Sequence, residues 1–90
     1  MCKLNKVKIE NNKLYGTIKA RNVKIIFDGL HKEDLSMMFE YELVNCGTFD
    51  KDTIIDSEDY RIYVTKMTRK NFIKEIIEIF ASAFAKADEE

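Results

Sequence analysis

The chain contains no proline and no tryptophan, and it has only three glycines, two cysteines and one histidine among its 90 residues. Each scarcity removes a class of function. Three scattered glycines leave no P-loop and no GxGxxG fingerprint, so a backbone cradle for nucleotide phosphate is not expected. One histidine, His31, leaves no HExxH helix and no Ser/His/Asp arrangement. A nucleophile pair of Cys46 with His31 is conceivable, but nothing local marks an activated thiol, and His31 reads as part of a solvated loop. Cys2 and Cys46 are far apart in sequence and read as free thiols, without a disulfide or metal framework.

Long hydrophobic runs are missing too. None approaches the ~20 residues that span a bilayer, and Met1-Cys2-Lys3-Leu4-Asn5 does not read as a signal peptide. The expectation is a cytoplasmic protein that does not enter a membrane. With no proline, low-complexity tract, internal repeat or linker, residues 1–90 are expected to form a single domain. Its 46% hydrophobic and 34% charged residues suit a folded chain rather than a disordered one. From the mass, folding should leave roughly 5,500 Å² of surface, which supports one modest core and no deep cavity.

What is present is charge, sorted by position. The net charge of -1 hides four segments of alternating sign. Residues 1–27 hold seven Lys/Arg against one Glu, a balance of +6. Residues 28–59 reverse this to -8, residues 60–87 return to +4, and Asp88-Glu89-Glu90 closes the chain at -3. Such blocks either present a field to a partner or lie on neighbouring strands and neutralise each other. Twelve lysines against three arginines, with many Ile and Asn, suggest an AT-rich genome of the kind found in phages and plasmids of low-GC bacteria.

Hydrophobic periodicity supplies the elements. Val7 and Ile9 alternate with Lys6, Lys8 and Glu10, and Asn11-Asn12 reads as a turn because Asn tolerates positive φ. Alternation resumes with Leu14, Gly16, Ile18 and Ala20 inward, then Val23, Ile25 and Phe27, ended by Asp28-Gly29. Gly16 inside a strand pattern marks a bulge or the close approach of another element. Leu35–Val44 fits two templates. As a strand, Leu35, Met37, Phe39, Tyr41 and Leu43 share a face. As a helix, Leu35, Met38, Phe39 and Leu43 align, but Met37, Tyr41 and Val44 fall outside. The period-two template explains more residues, so a strand is expected. Thr53-Ile54-Ile55 is a short addition to the sheet, and Tyr60, Ile62 and Val64 form the inward side of a further strand. Residues from about 69 to 87 give the clearest signal, an amphipathic helix with Phe72, Ile76, Phe80, Ala83 and Phe84 on one side and Thr68 as N-cap.

The expected fold is therefore α+β, an antiparallel sheet of five or six short strands over roughly residues 3–67. One C-terminal amphipathic helix, roughly 69–87, packs on one face.

Two surfaces are candidates for binding, and none is apparent for catalysis, a cofactor or a metal. Glu40, Glu42, Asp50, Asp52, Asp56, Glu58 and Asp59 would meet a basic surface on a protein partner. The carboxylates from Asp50 to Asp59 fail the EF-hand template, because Ile54 takes a ligand position and Ile55 replaces the required glycine. The alternative is the basic hairpin, where Lys6, Lys8, Lys19, Arg21 and Lys24 surround Tyr15 as on sheets that hold single-stranded nucleic acid. Against it, Glu40 and Glu42 on an adjacent strand would neutralise Lys24 and repel phosphate. The leading expectation is a small non-enzymatic modulator or inhibitor that occludes a host nucleic-acid-handling or defence enzyme. Direct nucleic-acid binding comes second, and a subunit that self-associates, as a homodimer for example, through the helix comes third.

Overall fold

A computed structural model describes residues 4–89. The expected free thiol at Cys2 lies outside the described residues. The chain opens with a three-stranded meander, β1 (Leu4–Glu10), β2 (Lys13–Lys19) and β3 (Val23–His31). Asn11 and Asn12 connect the first two strands, with φ of 55° and 64°. Positive φ at both central positions is what a two-residue hairpin needs to match the twist of its strands. Ala20 to Asn22 make the second turn, closed by the Ala20 N–H donating to the Val23 carbonyl at 2.8 Å.

The two informative glycines divide the roles that the strand pattern suggested. Gly16 faces Val7 across the β1–β2 pair and has φ +125°; a Cβ there would collide with the Lys6 carbonyl. It marks the close approach of a neighbouring backbone. The bulge is at Gly29 instead. Tyr15 pairs with Asp28 and Leu14 with Leu30, which leaves Gly29 as the extra residue, with φ +89°. Asp28-Gly29 therefore bends β3 rather than ending it.

Beyond a 3₁₀ turn at Lys32–Asp34, residues Leu35–Asn45 form a helix, α1. The strand expected over Leu35–Val44 does not exist. Leu35, Met38 and Glu42 are buried at helical spacing, with Phe39 and Leu43 half-buried against the core. Leu, Met and Glu are strong helix formers, and a helix lying on a sheet edge buries only a narrow side. The period-two count assumed that Met37 and Tyr41 needed burial, and both are exposed.

The chain then forms β4 (Thr53–Asp56), β5 (Tyr60–Val64) and a long helix, α2 (Arg69–Ala87). The five-stranded sheet runs β1-β2-β3-β5-β4, with every neighbouring pair antiparallel. α2 begins as expected: the Thr68 hydroxyl oxygen accepts a hydrogen bond from the Asn71 N–H at 3.2 Å. It crosses β1, β2 and β3 on one face, burying Phe72, Ile76, Ile79, Phe80 and Ala83 against Leu14, Ile18, Ile25 and Ile62. Phe39 of α1 meets Phe80 of α2 with ring centroids 4.8 Å apart, which continues the core under the second helix. The Arg69 guanidinium donates to the carbonyls of Cys46 and Leu43 at 3.1 and 3.2 Å, so the start of α2 satisfies the end of α1. The surface area, 5672 Å², is that of one compact domain of this mass. Among the described residues, no helix is long and apolar enough to cross a membrane.

Both helices lie on the same side of the sheet. The other side carries Lys6, Lys8, Tyr15, Lys19, Lys24, Arg61 and Tyr63 in register, and no described element covers it.

Candidate functional site

Strand order decides how the charge blocks meet. Lys6, Lys8, Lys13, Lys19 and Lys24 of the first block sit on β1, β2 and β3, while Asp50, Asp52, Asp56, Glu58 and Asp59, half of the acidic block, flank β4 at the opposite edge. With strands about 4.8 Å apart, β1 and β4 are separated by about 19 Å, more than two Debye lengths at physiological salt. Three ion pairs occur among the described residues: Lys8–Glu10, Arg61–Asp56 and Lys86–Glu89, at 3.8, 3.0 and 3.1 Å. All three are local in sequence, and none joins the first block to the second. Arg61 of the third block does pair with Asp56 of the second, and Asp52 lines one surface pocket with Lys19, Arg21 and Lys24.

The expected acidic residues fall into distinct positions. Asp50 and Asp52 precede β4, Asp56 ends it, and Glu58 and Asp59 occupy the turn to β5. Two of these side chains have structural partners. Asp52 accepts a hydrogen bond from the Lys66 N–H at 2.9 Å, and Asp56 receives Arg61 Nε at 3.0 Å. Glu40 is exposed on α1. Glu42 does not belong to the surface at all. It is 4% exposed, and its Oε2 accepts a hydrogen bond from the Tyr60 hydroxyl at 3.3 Å. Burial pushes its carboxyl above the ordinary 4.5, and the Tyr60 hydrogen bond opposes this only in part. The helical state of α1 causes this, because it turns Glu42 towards the core together with Leu35 and Met38.

The same change frees the basic face. Glu40 and Glu42 are not on a strand beside β3, so the carboxylates expected to neutralise Lys24 are absent from its surroundings. The strand beside β3 is β5, and Lys24 Nζ sits 4.6 Å from the centroid of the Tyr63 ring. Lys6, Lys8, Tyr15 and Lys19 share this open face with Lys24, and Arg21 lies in the turn before β3. Asp28 and Asp56 interrupt the positive field on the β3 and β4 side.

His31 and Cys46 are not brought together. His31 ends β3 before α1, and Cys46 follows the helix, so its length of about 16 Å stands between the two side chains. Cys46 Sγ is half-buried and donates to the Leu43 carbonyl at 3.5 Å. Among the described residues, no three His, Cys, Asp or Glu side chains are grouped to hold a metal ion.

The sequence reading missed the surface of α1. Met37, Tyr41 and Val44 are 67%, 60% and 76% exposed and recur at helical spacing, an apolar stripe that faces away from the core. Beside it, between α1 and β4, runs an open groove of about 540 Å³. The signal was available, because these three residues are the ones that a helical Leu35–Val44 leaves off its buried side.

Searches of protein-family models, of curated proteins and of solved structures find no match to this chain.

Proposed function

We propose that this chain is a small non-enzymatic binding protein of the cytoplasm, encoded by a phage-like or plasmid-like element. It would modulate or inhibit a nucleic-acid-handling or defence enzyme of its host by covering a basic surface with its acidic β4 flank. One observation supports this above the others: the sheet order puts Lys6, Lys8, Lys13 and Lys19 on β1 and β2 and the carboxylates around β4 at the opposite edge, with no ion pair between these two groups among the described residues. Unneutralised charge on one flank accelerates encounter with an opposite surface and disfavours wrong partners.

The carboxylates to test are those without a structural partner. Asp50, Glu58 and Asp59 make no side-chain hydrogen bond or ion pair among the described residues, so changing all three to Lys alters the field and spares the fold. The tagged wild type and this triple variant are used to capture partners from native cytosol, and association with the captured protein is timed. The variant should associate at least about tenfold more slowly at low salt while melting at the wild-type temperature. Equal rates would remove the acidic flank from consideration.

A second reading is favoured by one specific observation. With α1 on the far side of the sheet, the open face around Lys6, Lys8, Tyr15, Lys19 and Lys24 has no neighbouring Glu40 or Glu42 to repel a single-stranded nucleic acid. Binding of that kind should weaken with salt on a log–log slope of about -0.7 per phosphate contact. If changing Lys6, Lys8 and Lys19 to Glu abolishes activity, and an oligonucleotide competes for it, the second reading replaces the first. Self-association through α2 has less surface available, because Phe72, Ile76 and Phe80 are buried in the chain's own core.

A further inference from the structure

We propose that the free edge of β4 takes an extended basic segment of a partner protein as a sixth strand, seated against the α1 groove. This rests on the reading that the acidic flank meets a basic protein surface, and it specifies how contact is made.

The backbone defines the edge. On the β3 side of β5, the Thr65 N–H donates to the Asn22 carbonyl at 3.1 Å; on the β4 side, the Ser57 N–H donates to the Tyr60 carbonyl at 3.0 Å. An antiparallel ladder alternates, so Thr53 and Ile55 exchange their bonds with Val64 and Ile62. Ile54 and Asp56 therefore turn their N–H and C=O groups away from β5, towards solvent. These are the groups that an added strand would pair with.

The two edges of the sheet are protected differently. β1 carries Lys6 and Lys8, charges that discourage strand pairing, and β4 reads Thr-Ile-Ile-Asp without lysine or proline. Ile54 is 58% exposed. An added strand would send alternate side chains to the two faces of the sheet. One set would enter the groove against Met37, Tyr41 and Ile55, which calls for apolar residues. The other set would lie beside Ile54 and Asp56 on the open face. Among the residues lining the groove, Asp34 and Asp56 carry its exposed charge and none is Lys, Arg or His, so what charge its rim presents is negative. The occupant that fits alternates Lys or Arg with apolar residues. A second copy of this chain paired through the same edge fits badly, because it would bring β4 carboxylates against their own kind.

The probe is a capped hexapeptide alternating Lys and Val, titrated into the ¹⁵N-labelled protein. The controls are a peptide of the same composition with its lysines and valines in two blocks, and one alternating Glu and Val. The alternating basic peptide should slow exchange of the Ile54 and Asp56 amides by at least about tenfold and shift the Met37 and Tyr41 resonances. Ile54→Pro removes an edge donor and no ladder bond to β5, so it should keep the fold and abolish this protection. Met37→Ser with Tyr41→Ser, on the exposed side of α1, should weaken binding without unfolding the helix. Equal effects from the blocked peptide would show attraction without strand addition and overturn this proposal, leaving the acidic flank intact. No effect from the alternating peptide, with the Asp50, Glu58 and Asp59 reversals still slowing capture, would overturn strand addition alone. If those reversals are also silent, the underlying reading fails with it.

Discussion

The hydroxyl of Tyr60 on β5 donates to the carboxylate of Glu42 on α1 across 3.3 Å, tying the short helix to the sheet through a buried ionisable group. Burial favours the protonated acid, so the folded state holds this proton more tightly than the unfolded chain does. The stabilisation tied to the proton is fully present below pH 4.5 and is lost as pH rises through the higher folded-state value. Glu42→Gln keeps an acceptor for Tyr60 and removes the titration. The variant should therefore gain on the wild type as pH rises across that interval and hold a constant difference below it. Urea denaturation of both proteins from pH 4 to pH 8 measures this, because their other carboxylates cancel in the comparison.

Gly16 and Gly47 should respond oppositely to alanine. At Gly16 a Cβ meets the Lys6 carbonyl and the backbone has φ +125°, so Gly16→Ala should cost more than the ~1–3 kcal/mol of backbone strain alone. At Gly47 nothing lies within 4 Å of an added Cβ, and Gly47→Ala should change stability by less than about 0.5 kcal/mol. Chemical denaturation of the pair provides the test.

Ile76 and Phe80 are buried between α2 and the sheet, and Phe80 also contacts Phe39. Ile76→Ala and Phe80→Ala should each lose about 2–5 kcal/mol, a large part of the stability of a domain this small. Phe80→Ala should in addition loosen α1. Amide exchange in α1 should then rise more in Phe80→Ala than in Ile76→Ala, even where the two lose similar stability.

Chelators, calcium and magnesium should leave the melting temperature unchanged. Asp52 and Asp56 stand at opposite ends of β4, and each is held by a protein partner, Lys66 N–H and Arg61 respectively. A shift of several degrees at low-millimolar metal would show that Asp50, Glu58 and Asp59 assemble ligands from elsewhere.

Much of the fold was legible in the sequence where one face of an element is buried and the other is wet. Val7, Leu14, Ile18, Ile25 and Ile62 alternate because their strands carry helices on one side only, and α2 shows the same contrast at helical period. Gly16 and Thr68 were readable because each answers a local backbone requirement. Leu35–Asn45 was not, because its exposed side is as apolar as its buried side, and a pattern with two apolar sides has no unique period. The candidate site suffered from that error. Glu40 and Glu42 were placed beside Lys24 on the strength of a strand that is a helix, and the Met37–Tyr41–Val44 stripe went unread for the same reason. Strand order was also beyond reach of local pattern, since the insertion of β5 between β3 and β4 depends on a pairing across the α1 connection.

Separation of charge across the sheet makes the molecule an electric dipole with almost no net charge. Two such molecules in dilute buffer repel weakly as monopoles and attract when the β4 flank of one approaches the β1 flank of the other. Added salt screens that attraction first. Solubility should therefore climb with the first additions of salt, and crystals or condensed phases of this protein should form most readily at low ionic strength, stacked flank to flank.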